Sequence, residues 1–168
     1  MAPRPVVELP GRVLQTPTRP VRRVDAGVRA LIDDLVDTMR ASPACVGVAA
    51  NQIGDDRRVC VIDVTGHRKA RSQHGLVVLA NPVVLAAEAP ELGREGCMSV
   101  PDLTGDVLRA TQVRIAGLDR AGDEVTIDAD AFEARALLHE VDHLDGFVFL
   151  DRVASHAAVF RRKVYRQR

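Results

Sequence analysis

The sequence contains no tryptophan, and only 3% of its 168 residues are aromatic. Proteins that bind single-stranded nucleic acid commonly stack the bases on aromatic side chains, and this chain has few to offer. Its 23 basic and 23 acidic residues give a formal net charge of zero. Composition therefore indicates neither a nucleic acid nor an anionic membrane as an obligatory partner.

Long apolar stretches are also missing. No uninterrupted apolar run approaches the ~20 residues of a membrane-spanning helix, and residues 1–11, MAPRPVVELPG, lack the apolar core of a secretory signal. Three cysteines do not suggest a disulfide framework, and Cys45 and Cys60 lie in apolar surroundings typical of buried thiols. We therefore expect a cytoplasmic protein with no membrane partner and with reduced thiols.

The length and the order of the hydrophobic patterns predict the architecture. Residues 1–168 suffice for a single domain with a proper core. After an extended arm, 1–24, apolar positions at helical spacing predict an amphipathic helix that begins at an Asp25 N-cap and ends at Ser42. Strands are predicted at 58–64, 76–85, 112–118, 124–127 and 147–150, with a hairpin turn at 119–122.

A helix centred on residues 139–143 follows most of these strands, and residues 154–168 predict a C-terminal helix with a basic end. This order indicates an α+β fold in which antiparallel β-sheets surround a central helix, rather than βαβ repeats. A polar segment, 65–75, separates two of the strands. It contains His67 and His74, which we expect to be solvated loop residues.

The central helix contains the stretch His139-Glu140-Val141-Asp142-His143. At positions i and i+4 the two histidines lie on one helical face, about 6 Å apart at Cβ, so both imidazoles can bind one metal ion. Glu140 would project beside them, where a carboxylate can accept a proton from water at the metal. Asp142 would either orient an imidazole or form an internal salt bridge. A chance match with two solvated or packed histidines is the alternative.

A catalytic metal site usually takes three protein ligands and leaves one position for water. Cys97 lies in the loop-like stretch Glu95-Gly96-Cys97-Met98-Ser99, and its thiolate would complete a Cys/His/His set. A free cysteine that only packs as a small hydrophobic residue is the ordinary alternative. Spacing alone does not choose between the two interpretations.

A third segment, 46–52, has the sequence Val-Gly-Val-Ala-Ala-Asn-Gln. Together with the Glu-Gly-Cys-Met-Ser and His-Glu-Val-Asp-His stretches it makes three motifs, and in this order and spacing they resemble the peptide deformylases. The resemblance extends over nearly the whole chain. The family's first motif usually begins with a glycine two residues before Gly47, whereas this chain has Cys45 there.

The resemblance implies a metal-dependent hydrolase that removes the formyl group from the N-terminal formyl-methionine of newly synthesised polypeptides and releases formate. The metal ligands that it implies are Cys97, His139 and His143. Glu140 would act as general base and then as general acid. Gln52 and the backbone N–H of Met98 would stabilise the negative oxygen formed during attack.

The resemblance also implies substrate-binding residues, namely Val46, Gly47, Val48, Phe132 and Ala136. Val46, Phe132 and Ala136 would form the methionine pocket, and the backbone of Gly47 would pair with the peptide as an added strand. One divalent ion per chain is expected. In this family it is often iron(II), with zinc or nickel as alternatives, since affinity alone does not decide the ion in a cell.

The implied partners are N-formyl-methionyl nascent peptides and the ribosome, reached through the basic C-terminal segment. A solvated helix end, whose cations offset the helix dipole, explains those basic residues more plainly. We expect a monomer.

Two other functions share part of the pattern. A zinc peptidase also uses His-Glu-x-x-His but needs a downstream ligand, for which only His156 is available. A non-catalytic domain could hold a structural Cys/His/His metal, but such sites normally close with a fourth protein ligand. A purely structural site would also leave Glu140 and Gln52 without a role.

Overall fold

Helix α2, Ala131–Leu144, carries the His-Glu-Val-Asp-His motif and packs against a six-stranded antiparallel sheet. The computed structural model describes residues 3–162. Its strands are β1 Gly47–Ala49, β2 Val59–Ile62, β3 Val77–Cys97, β4 Val100–Leu118, β5 Glu124–Asp130 and β6 Val159–Arg161. The first five are neighbours in chain order, and β6 pairs with β4. The predicted α+β class is confirmed, with one connected sheet where separate sheets were expected.

Helix α1, Ala26–Ala41, is the predicted N-terminal helix. Asp25 caps it, because its carboxylate accepts a hydrogen bond from the Val28 N–H at 3.0 Å. Its apolar face is buried in a cluster with residues of β1 and β2, among them Val48 and Val61. The helix therefore supports β1 from the side of the sheet opposite α2.

Helix α2 buries its apolar face against the sheet, where Leu137 and Leu144 share a cluster with Ile62. Gly146 ends the helix as predicted: its φ is 84°, a conformation that glycine adopts without strain, and its N–H donates to His143 O at 3.0 Å. Within residues 3–162, no helix is long and apolar enough to cross a membrane.

Strands β3 and β4 form a long hairpin that carries Cys97. Their register shifts at three places, the last of them between Gly96 and Cys97. Such bulges bend a strand and redirect its side chains. The sequence had suggested that Cys97 lies in a loop, but it is the last residue of β3. Only Met98 and Ser99 separate it from β4.

The predicted hairpin at 112–127 is confirmed, since β4 pairs with β5 along this stretch. Asp119 forms the turn, and its Oδ1 accepts hydrogen bonds from the backbone N–H groups of Ala121, Gly122 and Asp123. Aspartate is favoured in turns because its side chain bonds to the backbone in this way.

The strand predicted at 147–150 is wrong. Residues 147 and 148 belong to no strand, and a 3₁₀ helix, Phe149–Arg152, begins in the second half of this stretch. Phe149 is 1% exposed and packs with Val107 and Val148, so burial of its ring decides the local conformation. An apolar tetrad alone cannot reveal this, because a buried turn and a buried strand have the same composition.

The predicted C-terminal helix is also wrong as far as the chain is described. After a 3₁₀ turn, His156–Ala158, the chain forms β6, which pairs with Leu103–Gly105 of β4. β5 does not extend to this part of β4. The edge of β4 is therefore open here, and its backbone groups can pair with an added strand. Residues 163–168, the remainder of the predicted helix, lie outside the described residues.

Residues 3–24, the described part of the N-terminal arm, are largely extended, with a turn at 9–10 and a 3₁₀ turn, Arg12–Gln15, and they wrap the domain as predicted. Val7 N–H donates to Gln52 O at 2.7 Å, and Leu9 N–H donates to Ser99 O at 2.9 Å. Further along, Thr18 N–H donates to Leu144 O at 2.8 Å. The arm therefore connects the segments that carry all three sequence motifs.

Candidate active site

Three side chains from two elements converge at the end of the β3–β4 hairpin. Cys97 ends β3, His139 and His143 lie one turn apart on α2, and their ligand atoms all lie within 4.8 Å of one another. Cys97 Sγ is 3.1 Å from His143 Nε2. In a tetrahedral site with bonds of about 2.0–2.3 Å, neighbouring ligand atoms lie roughly 3–4 Å apart. The cluster therefore fits one divalent ion.

The electrostatics of the cluster favour metal binding. Burial raises the pKa of the Cys97 thiol, but His143 and His139 outweigh burial and hold this pKa well below its usual value. Burial lowers the pKa of His139, yet its hydrogen bonds to Cys97 and Glu95 raise it well above the usual range. The lowered pKa favours the thiolate, the form of cysteine that binds metal. An incoming cation displaces the proton held by the cluster, so binding releases protons.

Glu95 orients one of the histidines. Its Oε2 lies 2.9 Å from His139 Nδ1, which leaves Nε2 of that ring for the metal. Its Oε1 accepts hydrogen bonds from Arg109 and Arg135, each at 2.9 Å. Burial raises the pKa of Glu95, but His139 and Arg109 outweigh it and hold this pKa well below its usual range. The ionised carboxylate therefore accepts the proton of His139 Nδ1.

This role of Glu95 was missed by the sequence analysis. The signal was present, because residues two apart on a strand point to the same face. Glu95 and Cys97 are both buried and Gly96 between them is exposed, as this alternation requires. A carboxylate two positions before a ligand cysteine is therefore well placed to contact a second ligand.

Asp142 forms internal salt bridges, which decides between its two predicted roles. It accepts a hydrogen bond from Arg109 and a second one from Arg152 Nη2, the latter at 3.0 Å. Arg109 also binds Glu95. One buried network of charges therefore connects β3, β4 and α2 behind the metal ligands.

Glu140 lies beside the cluster and is 4% exposed. Burial raises its pKa to about 7, although the two neighbouring histidines act in the opposite direction. Its Oε2 has no hydrogen-bond partner among the described residues. A Cβ added at Gly47 would lie 2.6 Å from Glu140 Oε1, so only glycine lets β1 approach this carboxylate.

Gln52 is 2% exposed and lies in the 3₁₀ helix Ala50–Ile53 that follows β1. Its Oε1 accepts a hydrogen bond from the Ala49 N–H at 2.9 Å, which fixes the orientation of the amide. Its Nε2 lies 3.3 Å from Cys97 Sγ and 3.2 Å from Ser99 Oγ. The amide NH₂ of Gln52 therefore points to the group of three candidate metal ligands.

A cavity of about 410 Å³ lies next to Glu140 and His139. Its lining includes most of the predicted substrate and catalytic residues: Val46, Gly47, Gln52, Met98, Phe132 and Ala136. Val48 is not among the lining residues and is fully buried in the cluster with α1. Val48 follows Gly47 on β1, so its side chain points to the opposite face of the strand and packs on α1, and the structure does not place it in the cavity wall where it was expected.

His67 and His74 lie in the loop segment 65–75 as expected, and His74 is exposed, but both rings also contact the start of α2. The ring of His67 stacks on Phe132 with centroids 3.8 Å apart. His74 Nδ1 lies 2.9 Å from the buried Glu133 carboxylate. Since Phe132 lines the cavity, the His67 ring supports the cavity wall from behind.

The cavity wall also includes residues that sequence analysis did not assign to it, among them Cys45, Arg94 and Arg162. Arg162 Nη2 donates to Cys97 O at 3.1 Å. Arg162 follows β6 directly, so the pairing of β6 with β4 positions it. No local pattern in the sequence predicts such a long-range contact.

A family model described as polypeptide deformylase matches residues 3–158. The chain belongs to this family. A peptide deformylase of Methylocella silvestris is 43% identical over 152 residues, which are 90% of this chain and 77% of the relative. The predicted family is confirmed.

Solved peptide deformylase structures share the fold. The enzyme of Ehrlichia chaffeensis in complex with actinonin has a TM-score of 0.87 and 31% identity, covering 94% of this chain and 92% of that one. The enzyme of Acinetobacter baumannii with bound Met-Ala-Ser has a TM-score of 0.82 and 31% identity, covering 90% of this chain and 100% of that one.

As a peptide deformylase, the protein is a metal-dependent hydrolase that removes the N-formyl group from the N-terminal formyl-methionine of newly synthesised polypeptides and releases formate. The predicted reaction and enzyme class are confirmed. The zinc peptidase alternative fails, since His156 does not belong to the Cys97, His139 and His143 cluster. The non-catalytic alternative fails because the family consists of enzymes.

The Glu95 contact generates a prediction for metal affinity. Replacing Glu95 by Gln keeps an oxygen that can accept a hydrogen bond but removes the charge that holds His139, so we expect metal affinity to fall about 10- to 100-fold. Competition with a chromogenic chelator measures this. Glu91→Gln, which changes an exposed carboxylate on the same strand, is the control and should leave affinity unchanged. Equal affinity in Glu95→Gln and the unaltered protein would contradict the role of Glu95.

Proposed function

We propose that Cys97, His139 and His143 bind one divalent metal ion and that Glu140 performs the proton transfers of deformylation. The observation that supports this most directly is a buried carboxylate with an unpartnered oxygen beside three converging ligand atoms. A divalent ion bound there supplies Lewis acidity, which lowers the pKa of water and polarises the formyl oxygen.

Glu140 accepts a proton from the attacking water and returns it to the amine nitrogen of methionine as the C–N bond breaks. The burial that raises its pKa to about 7 supports this role, because a general base and acid works best near the operating pH. Glu140 follows His139 on the same helical turn, so the base is held in register with a ligand.

Gln52 Nε2 and the backbone N–H of Met98 stabilise the oxygen that becomes negative during attack. The hydrogen bond from Ala49 N–H to the Gln52 oxygen supports this assignment, since it commits Nε2 to the site. A donor that is already oriented needs no reorganisation when charge develops, and removal of one such donor typically costs ~10²–10³ in rate.

The methionine side chain occupies the cavity beside Val46, Phe132 and Ala136. The apolar character of these three lining residues supports this, as does the stacking of His67 behind Phe132. The peptide backbone pairs with β1 at Gly47, which lies at the end of the strand order. This mode relies on main-chain hydrogen bonds and tolerates varied side chains after the first residue.

We further propose that the whole chain, 1–168, is one catalytic domain, monomeric and cytoplasmic. The family match over residues 3–158 and the single connected sheet support one domain. A reduced cytoplasm suits a site that needs a free thiolate. Sedimentation equilibrium of the metal-loaded enzyme tests the monomer, which a dimer mass at micromolar concentration would contradict.

Exchange of Glu140 for Gln tests the catalytic assignment. We expect kcat to fall about 10²- to 10⁴-fold, the usual contribution of a general base, while one metal ion per chain is retained. Formate release and metal analysis measure the two quantities. Glu124→Gln, at an exposed position on β5, is the control. Loss of metal together with activity would instead assign Glu140 a ligand role.

The pH dependence follows from the same residue. Because burial raises the pKa of Glu140 to about 7, the fraction of enzyme able to accept a proton decreases as the pH falls through this value. A bound cation favours the ionised carboxylate of Glu140, so in the metal-loaded enzyme this decrease occurs at lower pH. We therefore expect kcat/KM to decrease on acidification from pH 7 to 5, and a rise over that range would contradict the assignment.

Iron(II) is the ion that we propose for the cell. A Cys/His/His set accepts iron(II), nickel and zinc, and availability decides among them. Protein purified without oxygen and loaded with each metal is assayed for formate release from formyl-Met-Ala-Ser. We expect the iron(II) enzyme to be active and to lose activity in air, because its thiolate is open to oxidation. Full activity with zinc and none with iron(II) would reverse the assignment.

The ribosome is a proposed partner of the basic C-terminal segment. Arg161 and Arg162 are exposed at the end of the described chain, and cationic side chains bind the phosphates of RNA. Since Arg162 also contacts Cys97 O, the test removes only residues 163–168. We expect weaker co-sedimentation with ribosomes and unchanged activity on a short formyl peptide.

The matched control for this deletion replaces Arg68, Lys69 and Arg71 by alanine, which removes the same number of basic residues from an exposed segment elsewhere. Equal co-sedimentation of the truncated and unaltered proteins would show that the segment is only a solvated end.

A further inference from the structure

Strand β1 has a free edge beside the cavity. It is the terminal strand of the sheet among the described residues. Val46 O accepts a hydrogen bond from Asp63 N–H at 2.8 Å, and Gly47 is paired with Ile62. Hydrogen-bonded and non-hydrogen-bonded pairs alternate along an antiparallel ladder. The N–H and C=O of Gly47 therefore point away from β2, toward the free edge.

The carbonyl of Gly47 already has a donor at this edge. Cys45 Sγ lies 3.1 Å from Gly47 O, and the thiol group is half-buried in the cavity wall. Burial raises the pKa of the Cys45 thiol to about 12, so it keeps its proton and donates it. The side chain of Cys45 thus occupies an acceptor that strand addition would use.

The same edge lies beside the reacting group. A Cβ at Gly47 would be 2.6 Å from Glu140 Oε1, and the other carboxylate oxygen of Glu140 is buried without a partner among the described residues. A peptide that pairs with β1 at Gly47 therefore lies next to the carboxylate of Glu140, the proposed general base. The backbone contact at this point affects substrate binding directly.

We propose that Cys45 is a specificity-determining residue whose thiol competes with a substrate backbone N–H for the carbonyl of Gly47. This rests on the proposed pairing of the peptide with β1. A substrate residue that carries an N–H opposite Gly47 displaces the thiol and gains only the difference between the two hydrogen bonds. A residue without an N–H, such as proline, leaves the thiol in place and the carbonyl satisfied. The enzyme therefore tolerates proline or an N-methylated residue at this substrate position.

The test uses formyl-Met-Ala-Ser and two analogues that are N-methylated at the alanine or at the serine. The metal-loaded enzyme and its Cys45→Ala, Cys45→Ser and Cys60→Ala variants are assayed under reducing conditions. At one of the two positions, we expect N-methylation to lower kcat/KM about three- to tenfold more in Cys45→Ala than in the unaltered enzyme. This additional loss has the size expected for one neutral hydrogen bond. Because the hydrogen bond contributes to substrate binding, we expect the loss to appear as an increase in KM.

The remaining variants control for structure. Cys45→Ser keeps a donor and should retain much of the tolerance. Cys60→Ala removes a thiol that is fully buried and does not line the cavity, so its response to N-methylation should match that of the unaltered enzyme. Melting temperature and metal content of each variant identify any loss of fold.

The possible outcomes distinguish a failure of the proposed Cys45 role from a failure of the proposed pairing of the peptide with β1. An equal, substantial loss on N-methylation in the Cys45→Ala and unaltered enzymes would leave the β1 pairing intact and overturn the role of the thiol. No loss in either enzyme would overturn the pairing itself and the proposal with it. A smaller loss in Cys45→Ala would show that the thiol only obstructs the added methyl group, which also overturns the proposal.

Discussion

The geometry of the site depends on the hydrogen bonds and ion pairs of one buried carboxylate, that of Glu95. It joins His139 of α2 to Arg109 of β4 and to Arg135, so the histidine ring is fixed relative to the hairpin that carries Cys97. Buried ions are stable only with partners, and removal of one partner typically costs about 3–5 kcal/mol. Arg109 extends the constraint to Asp142. The metal ligands are therefore held by a charge network that binds no metal itself.

The part of the site that could be predicted from sequence is the part set by local geometry. His139, Glu140 and His143 lie within two helical turns, where residue spacing alone determines which side chains share a face. Gly146 could be identified as the end of this helix for the same reason. Cys97 was a candidate on chemical grounds, but its position depends on the β3–β4 pairing and on the register shift beside it. Only the three motifs together, through the family that they resemble, identified it as a ligand.

Long-range pairing explains what could not be predicted. The C-terminal strand β6 forms because the edge of β4 is open at Leu103–Gly105, a property of the assembled sheet and not of residues 154–162. Val48 and Val46 have the same chemical character, and only packing against α1 distinguishes the core residue from the cavity residue. The stacking of His67 on Phe132 likewise joins segments far apart in the chain.

The hydrogen bonds of the N-terminal arm also bear on the order of assembly. The ribosome synthesises the arm first, yet its partners at Gln52 and Ser99 emerge later, and the metal-binding face of α2 later still. Metal binding is coupled to folding because the ligands meet only in the folded state. A chain still in synthesis therefore cannot hold its ion until α2 has left the exit tunnel.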